Sequence, residues 1–98
     1  MSQHVFRYVV PIDDSAHTVR LASRAKISSQ IAVRTGPCTS VNDYAIEFWA
    51  EHDDLEVSIP RLFSVVGTGH PMPSGAKLVA TAPRMDNGLV FHLIELLS

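Results

Sequence analysis

The sequence predicts an all-β fold, a compact antiparallel sandwich or small barrel built as a single domain over residues 1–98, and three observations carry that prediction. Apolar side chains recur at every second position, the period of a half-buried strand. The alternating runs are short and are separated at near-regular intervals by Gly, Pro, Asn, Asp and Ser, the residues of turns. At 98 residues, 46% apolar and 18% charged, the chain supports one core and not two. Short strands at such spacing are the signature of sandwiches and small barrels.

Taken in order, His4, Phe6, Tyr8, Val10 and Ile12 share one face of a strand expected over residues 4–12, and His17, Val19 and Leu21 one face of a strand over 17–22. Asp13, Asp14 and Ser15 lie between them and bond to their own backbone in turns, so the pair reads as a β-hairpin. A third strand is expected from Ile27 to Arg34, with Ile31 and Val33 inward, before the breaker Thr35-Gly36-Pro37. Any helix is confined to 22–30, where Ala22, Arg24, Ala25 and Lys26 tolerate one. Tyr44, Ile46, Phe48 and Ala50 alternate with Ala45, Glu47 and Trp49, predicting a strand over 43–51 whose outward Trp49 needs a cover. Leu55, Val57 and Ile59 read as a short edge segment ahead of Pro60, because proline cannot donate to a ladder.

Strands over 61–67 and 77–82 flank a loop far more particular than a connection requires. Gly67 and Gly69 free its backbone for positive φ, while Pro71 and Pro73 each fix φ and force extended geometry on the residue before them. Asn87-Gly88 then signals a two-residue hairpin turn leading into a last strand over 89–97. Val90, Ile94 and Leu96 fall on one face of it and Leu89, Phe91 and Leu93 on the other. A strand apolar on both faces is either central in a two-layer core or part of an interface, and a two-fold homodimer is expected from it.

Charge and cysteine usage narrow the classes of function. The formal charge is −2, and Lys plus Arg number 8, spread singly, without the clustered basic face that phosphate-backbone binding uses. Nucleic acid is not an expected partner. The single cysteine, Cys38, makes no internal disulfide, which suits a reducing compartment. The N-terminal run MSQHVFRYVVPIDD lacks the features of a secretion signal, and no apolar run approaches the ~20 residues that span a bilayer, so a cytoplasmic protein without a membrane partner is expected.

The residues that bear chemistry form no familiar constellation. His17 with Asp13 and Asp14, and His52 with Asp53 and Asp54, invite a metal reading, but zinc sites draw on close ligand pairs, and no H-x-x-x-H or C-x-x-C occurs. Solvated turn residues are the plainer account, so neither a metal nor any other cofactor is expected. His92 alternates with Val90 and Ile94 and is expected to face the core, as a buried imidazole bonded to a carbonyl or as a group lining a pocket. His70 sits in the rigid loop. Gly67-Thr68-Gly69 is too short for a phosphate-binding glycine pattern, and Pro71 and Pro73 interrupt the helix that such a pattern opens. Cys38 carries no local nucleophile motif.

The runs VFRYVVPIDD, HTVRL, IEFWAE, FSVVGTGHPMPSGAKLVATA and LVFHLIEL span nearly the whole chain. With their GTG-x-P-x-P loop, Glu47-Phe48-Trp49 triplet and closing Phe91-His92-Leu93, they resemble a family of small proteins of unknown activity encoded by actinobacteriophages and some actinobacterial genomes. The resemblance implies a phage or prophage setting, hence a bacterial host cytoplasm, and no mechanism. The function expected is non-enzymatic: an accessory protein that binds another macromolecule, a host protein being the first candidate. The acidic stretch around Trp49, with Glu47, supplies one contact surface, since an aromatic anchor gives burial and rim charges give orientation. Gly67, Thr68, Gly69, His70 and Pro71, with His92 beneath them, supply the alternative, a lid over a small-molecule site for a nucleotide signal. A minor virion or assembly component is the third reading.

Overall fold

Two long strands, β5 (Tyr44–Asp53) and β6 (Ser58–Gly67), each organise one sheet in the computed structural model, which describes residues 3–13, 15–35, 44–53, 55–85 and 88–96. In the first sheet β1 (Gln3–Pro11) pairs with one side of β5, and β3 (Lys26–Ile27) and β4 (Ala32–Thr35) pair with its other side. In the second, β2 (His17–Ala22), β6, β8 (Phe91–Leu96) and β7 (Lys77–Thr81) lie side by side in that order. Every pairing is antiparallel. The protein is thus an all-β, two-layer antiparallel domain, and no helix occurs among the described residues.

The core lies between the layers. Val10, Ile46, Phe48 and Ala50 come from the first sheet, and Leu21, Phe63, Val65, Ala80 and Leu93 from the second. The Phe48 and Phe63 rings meet across the gap with centroids 5.2 Å apart. Complete burial of such side chains contributes ~1.5–3 kcal/mol each. Arg61 and Glu95 close one end of this layer with paired bonds of 2.6 and 2.7 Å, and the Arg61 guanidinium lies 5.7 Å from the Phe63 ring.

Several local expectations are corrected. The first two strands do not form a hairpin: β1 joins β5 and β2 joins β6, in different sheets. The turn is real, since Ser15 N–H donates to Asp13 Oδ1 at 2.8 Å, but it carries the chain across the core. The apolar faces of both strands then meet the same interior from opposite sides. The third strand is split into β3 and β4 by residues 28–31, where Gln30 N–H donates to Ser28 Oγ, although Ile31 and Val33 do reach the core. Residues 55–57 are not strand; β6 instead begins at Ser58 and includes Pro60. Proline is tolerated there because the ladder to β8 begins only at Leu62, so β6 has one neighbour at that point. The last strand is central, flanked by β6 and β7, which is one of the two expected outcomes for it. Leu93 and Ile94, on opposite faces, are both fully buried. His92 does not face the core: Leu93 does, and His92 stands with Ile94 on the other side of the sheet.

Candidate functional site

Register places the proposed contact residues on two sheets, Glu47 and Trp49 on the first and the 67–71 loop with His92 on the second. On β5 the core takes Ile46, Phe48 and Ala50, so Glu47, Trp49 and Glu51 point to the outer side of the first sheet. Trp49 is half-buried there. Its cross-strand partner is Arg7, whose guanidinium reaches diagonally to Glu47 at 3.2 Å. Lys26 of β3 stands opposite Glu51. The surface around Trp49 is therefore of mixed charge rather than acidic. Asp53 and Glu56 are engaged at turns: Asp53 Oδ1 accepts from Leu55 N–H and Glu56 Oε2 from Arg24 N–H. Asp54 lies outside the described residues.

The Gly67–Pro73 loop borders a different feature. His70 N–H closes a turn on the Gly67 carbonyl at 3.1 Å, and Gly69, at its third position, has φ +89°. A second turn of the same form runs from Pro73 to Ala76, with Gly75 at φ +80°. Both need glycine because an L side chain is strained there. Gly67 is not in the positive-φ region, contrary to expectation; it ends β6 instead. The loop forms one wall of an open groove of about 980 Å³, with Thr68, His70, Pro71 and Pro73 facing Arg84, Gly88 and Leu89. Gly88 takes φ +87°, as a turn there requires, while Asn87 lies outside the described residues.

His92 is not a wall of that groove. Its Nε2 is 2.8 Å from Thr68 Oγ1, just past the end of β6, and its Nδ1 2.8 Å from Thr81 Oγ1 on β7, so it ties the start of the loop to β7 across its own strand. Thr68 is the point at which the loop meets His92. The other histidines that drew attention are similarly engaged. His17 Nε2 is 2.8 Å from Asp13 Oδ1, and this bond holds the Asp13 carboxyl below its ordinary value against the opposing effect of burial, with a lesser contribution from Ser15 N–H. His52 Nδ1 faces the Asp53 backbone carbonyl at 2.9 Å, and a carbonyl only accepts, so Nδ1 carries the hydrogen. Nε2 then receives the Tyr8 hydroxyl at 3.0 Å, a proton that burial holds on Tyr8 by raising its pKa. Phe6 stacks on this imidazole at 4.5 Å. Among the described residues no group of three or more His, Cys, Asp or Glu converges as a metal site would require. No helix among them is long and apolar enough to cross a membrane.

Comparison with known families adds one match. The model described as "Domain of unknown function (DUF7352)" aligns with residues 1–98. The chain belongs to the DUF7352 family. No curated protein and no solved structure matches it. In this DUF7352 domain, the sequence singles out Trp49, Glu47 and the 67–71 loop, and the structure sets beside them Arg7, Lys26 and Arg84, which the sequence does not mark, and adds the Tyr8–His52 pair. No local signal marks Arg7 or Lys26: Arg7 is 42 positions from Trp49, and only the β1–β5 register brings them together. For the Tyr8–His52 pair a faint signal existed, because both residues fall on core-facing alternations of their strands.

Proposed function

We propose that this protein is a non-enzymatic accessory protein of phage or prophage origin that binds another protein through the outer side of the first sheet. It works in the host cytoplasm, and a host protein is the first candidate partner. The carrying observation is the position of Trp49: an aromatic side chain half-buried in the middle of a sheet face, rimmed by the Arg7–Glu47 ion pair and by Lys26 and Glu51. A central aromatic ringed by charges is the anatomy of a binding hot spot, in which the anchor supplies burial and the rim supplies orientation and association rate. A binding role is also supported by the histidines 17, 52 and 92, whose ring nitrogens serve structural hydrogen bonds.

One observation favours a second reading, the binding of a small anionic molecule such as a nucleotide signal. The groove beside the 67–73 loop has a volume within the range of ligand sites and offers Arg84, Thr68 and His70 among apolar walls. Affinity capture and a metabolite thermal-shift screen, run on the same variants, separate the two. Trp49→Ala abolishes capture on the first reading and leaves ligand shifts intact; His70→Ala and Arg84→Ala do the reverse on the second. Folded variants that all behave as wild type place the working surface elsewhere.

A further inference from the structure

We infer that the free edge of β1 is the dimer interface of this protein, pairing antiparallel with β1 of a second copy about a two-fold axis at Phe6. An open sheet edge is a row of unpaired backbone donors and acceptors, and sandwiches protect theirs. Three of the four edges here are protected. β7 has five residues, starts with Lys77 and is broken by a bulge between Leu78 and Ala80. The β3–β4 edge is interrupted at 28–31. β2 has only six residues and carries the charged Arg20 at its middle. β1 instead runs nine residues in unbroken register with β5, and no described strand pairs its other side. Its exposed side chains include Val5, 68% exposed, and Phe6, 36% exposed.

Hydrogen-bonding parity is compatible with self-pairing, and with the side chains on β1 it selects one register. Ile12 N–H donates to the Tyr44 carbonyl, so even-numbered residues of β1 direct their backbone groups to β5 and odd-numbered ones direct theirs outward. Val5, Arg7 and Val9 therefore carry the free donors and acceptors, and Pro11, which has no donor, sits at an outward position. Symmetric pairings that keep both inner faces aligned and retain most of β1 centre on Phe6, Arg7 or Tyr8. Centring on Arg7 sets like charges directly opposite, which is destabilising. Centring on Tyr8 sets Val5 against Pro11 and loses a bond. Centring on Phe6 pairs Val5 with the partner's Arg7, both outward-directed, and joins the two Phe6 rings while leaving the chain crossover after Pro11 clear. Trp49 stays on the open outer face of the enlarged sheet, so this inference stands apart from the binding role proposed for that residue.

The test combines sedimentation with crosslinking of the intact chain. Wild type is expected to sediment at twice the mass of one chain at micromolar to submillimolar concentration. Val5→Pro, which removes an outward N–H and spares the ladder to β5, is expected to sediment as a monomer with an unchanged circular dichroism spectrum. Trp49→Ala remains dimeric. In a Cys38→Ser background, Phe6→Cys forms an interchain disulfide on mild oxidation, because residues opposed in a non-hydrogen-bonded pair lie about 4.5 Å apart, within the roughly 4.4–6.8 Å span of a disulfide. Arg7→Cys does not. A wild type that is monomeric throughout, or a dimer that survives Val5→Pro, overturns the proposal. Should Val5→Pro fail to fold, the cysteine pair decides, and crosslinking by Phe6→Cys no faster than by Arg7→Cys overturns it.

Discussion

Single side chains close this sandwich at its ends, and two of them make measurable claims. Arg61 grips Glu95 through two bonds, donates a third to the Ala22 carbonyl at 3.2 Å, and is held charged by that carboxylate, which raises its pKa. With side chains only 16% and 20% exposed, the pair is largely shielded from water. Glu95→Gln leaves a half-buried cation without its counter-charge and is expected to cost ~2 kcal/mol, below the ~3–5 kcal/mol of a fully buried pair. Replacing both partners by apolar residues costs less than either single change, and urea denaturation reads both. Asp13 supplies the pH dependence. Its folded-state pKa lies below the ordinary 3.8, so the folded chain binds this proton less readily than the unfolded one. The contribution is complete above 3.8 and is lost as pH falls through the lowered folded value. Asp13→Asn is therefore expected to reduce the urea midpoint at neutral pH and to narrow the gap from wild type in strong acid. An unchanged gap across that window contradicts the assignment.

At the scale of elements, alternation was legible and partnership was not. The inward faces of β1, β2 and β5 follow from period two, since Tyr8, Val10, Leu21, Ile46 and Phe48 all meet in the core. The hairpin between β1 and β2 was misread because turn chemistry at Asp13 and Ser15 fixes a local bend but not which sheet the next strand enters. That choice belongs to β5 and β6, more than 20 residues away in sequence. His92 was misplaced for a related reason: β8 is apolar on both faces, so alternation alone does not say which one is inward. Loop chemistry was partly legible. Gly69 sits at φ +89° with nothing within 4 Å of where a Cβ would stand, so Gly69→Ala is expected to cost ~1 kcal/mol through backbone strain alone. Gly67→Ala meets only the His70 ring at 3.6 Å, an ordinary contact, and is expected to change stability by less than about 0.5 kcal/mol. Equal costs at the two positions in thermal melts contradict this reading of the turn.

For the whole molecule, a fold class was readable from composition and periodicity, whereas the working surface depends on registers that only the assembled sheets define. Trp49 was visible as an outward aromatic, but its neighbours Arg7 and Lys26 arrive from other strands and turn an acidic patch into a mixed-charge one. The same assembly turns His92 out of the groove while tying it to Thr68 at the start of the 67–73 loop, and it puts Arg84 beside that loop. The claim that this protein binds a partner protein through Trp49 is tested most directly by quantitative affinity capture from host-cell lysate with wild type, Trp49→Ala and Gly69→Ala side by side. Losing a central aromatic anchor costs more than ~2 kcal/mol, roughly 30-fold in affinity. The account predicts a specific protein retained by wild type and Gly69→Ala and lost from folded Trp49→Ala; equal retention by Trp49→Ala and wild type would contradict it.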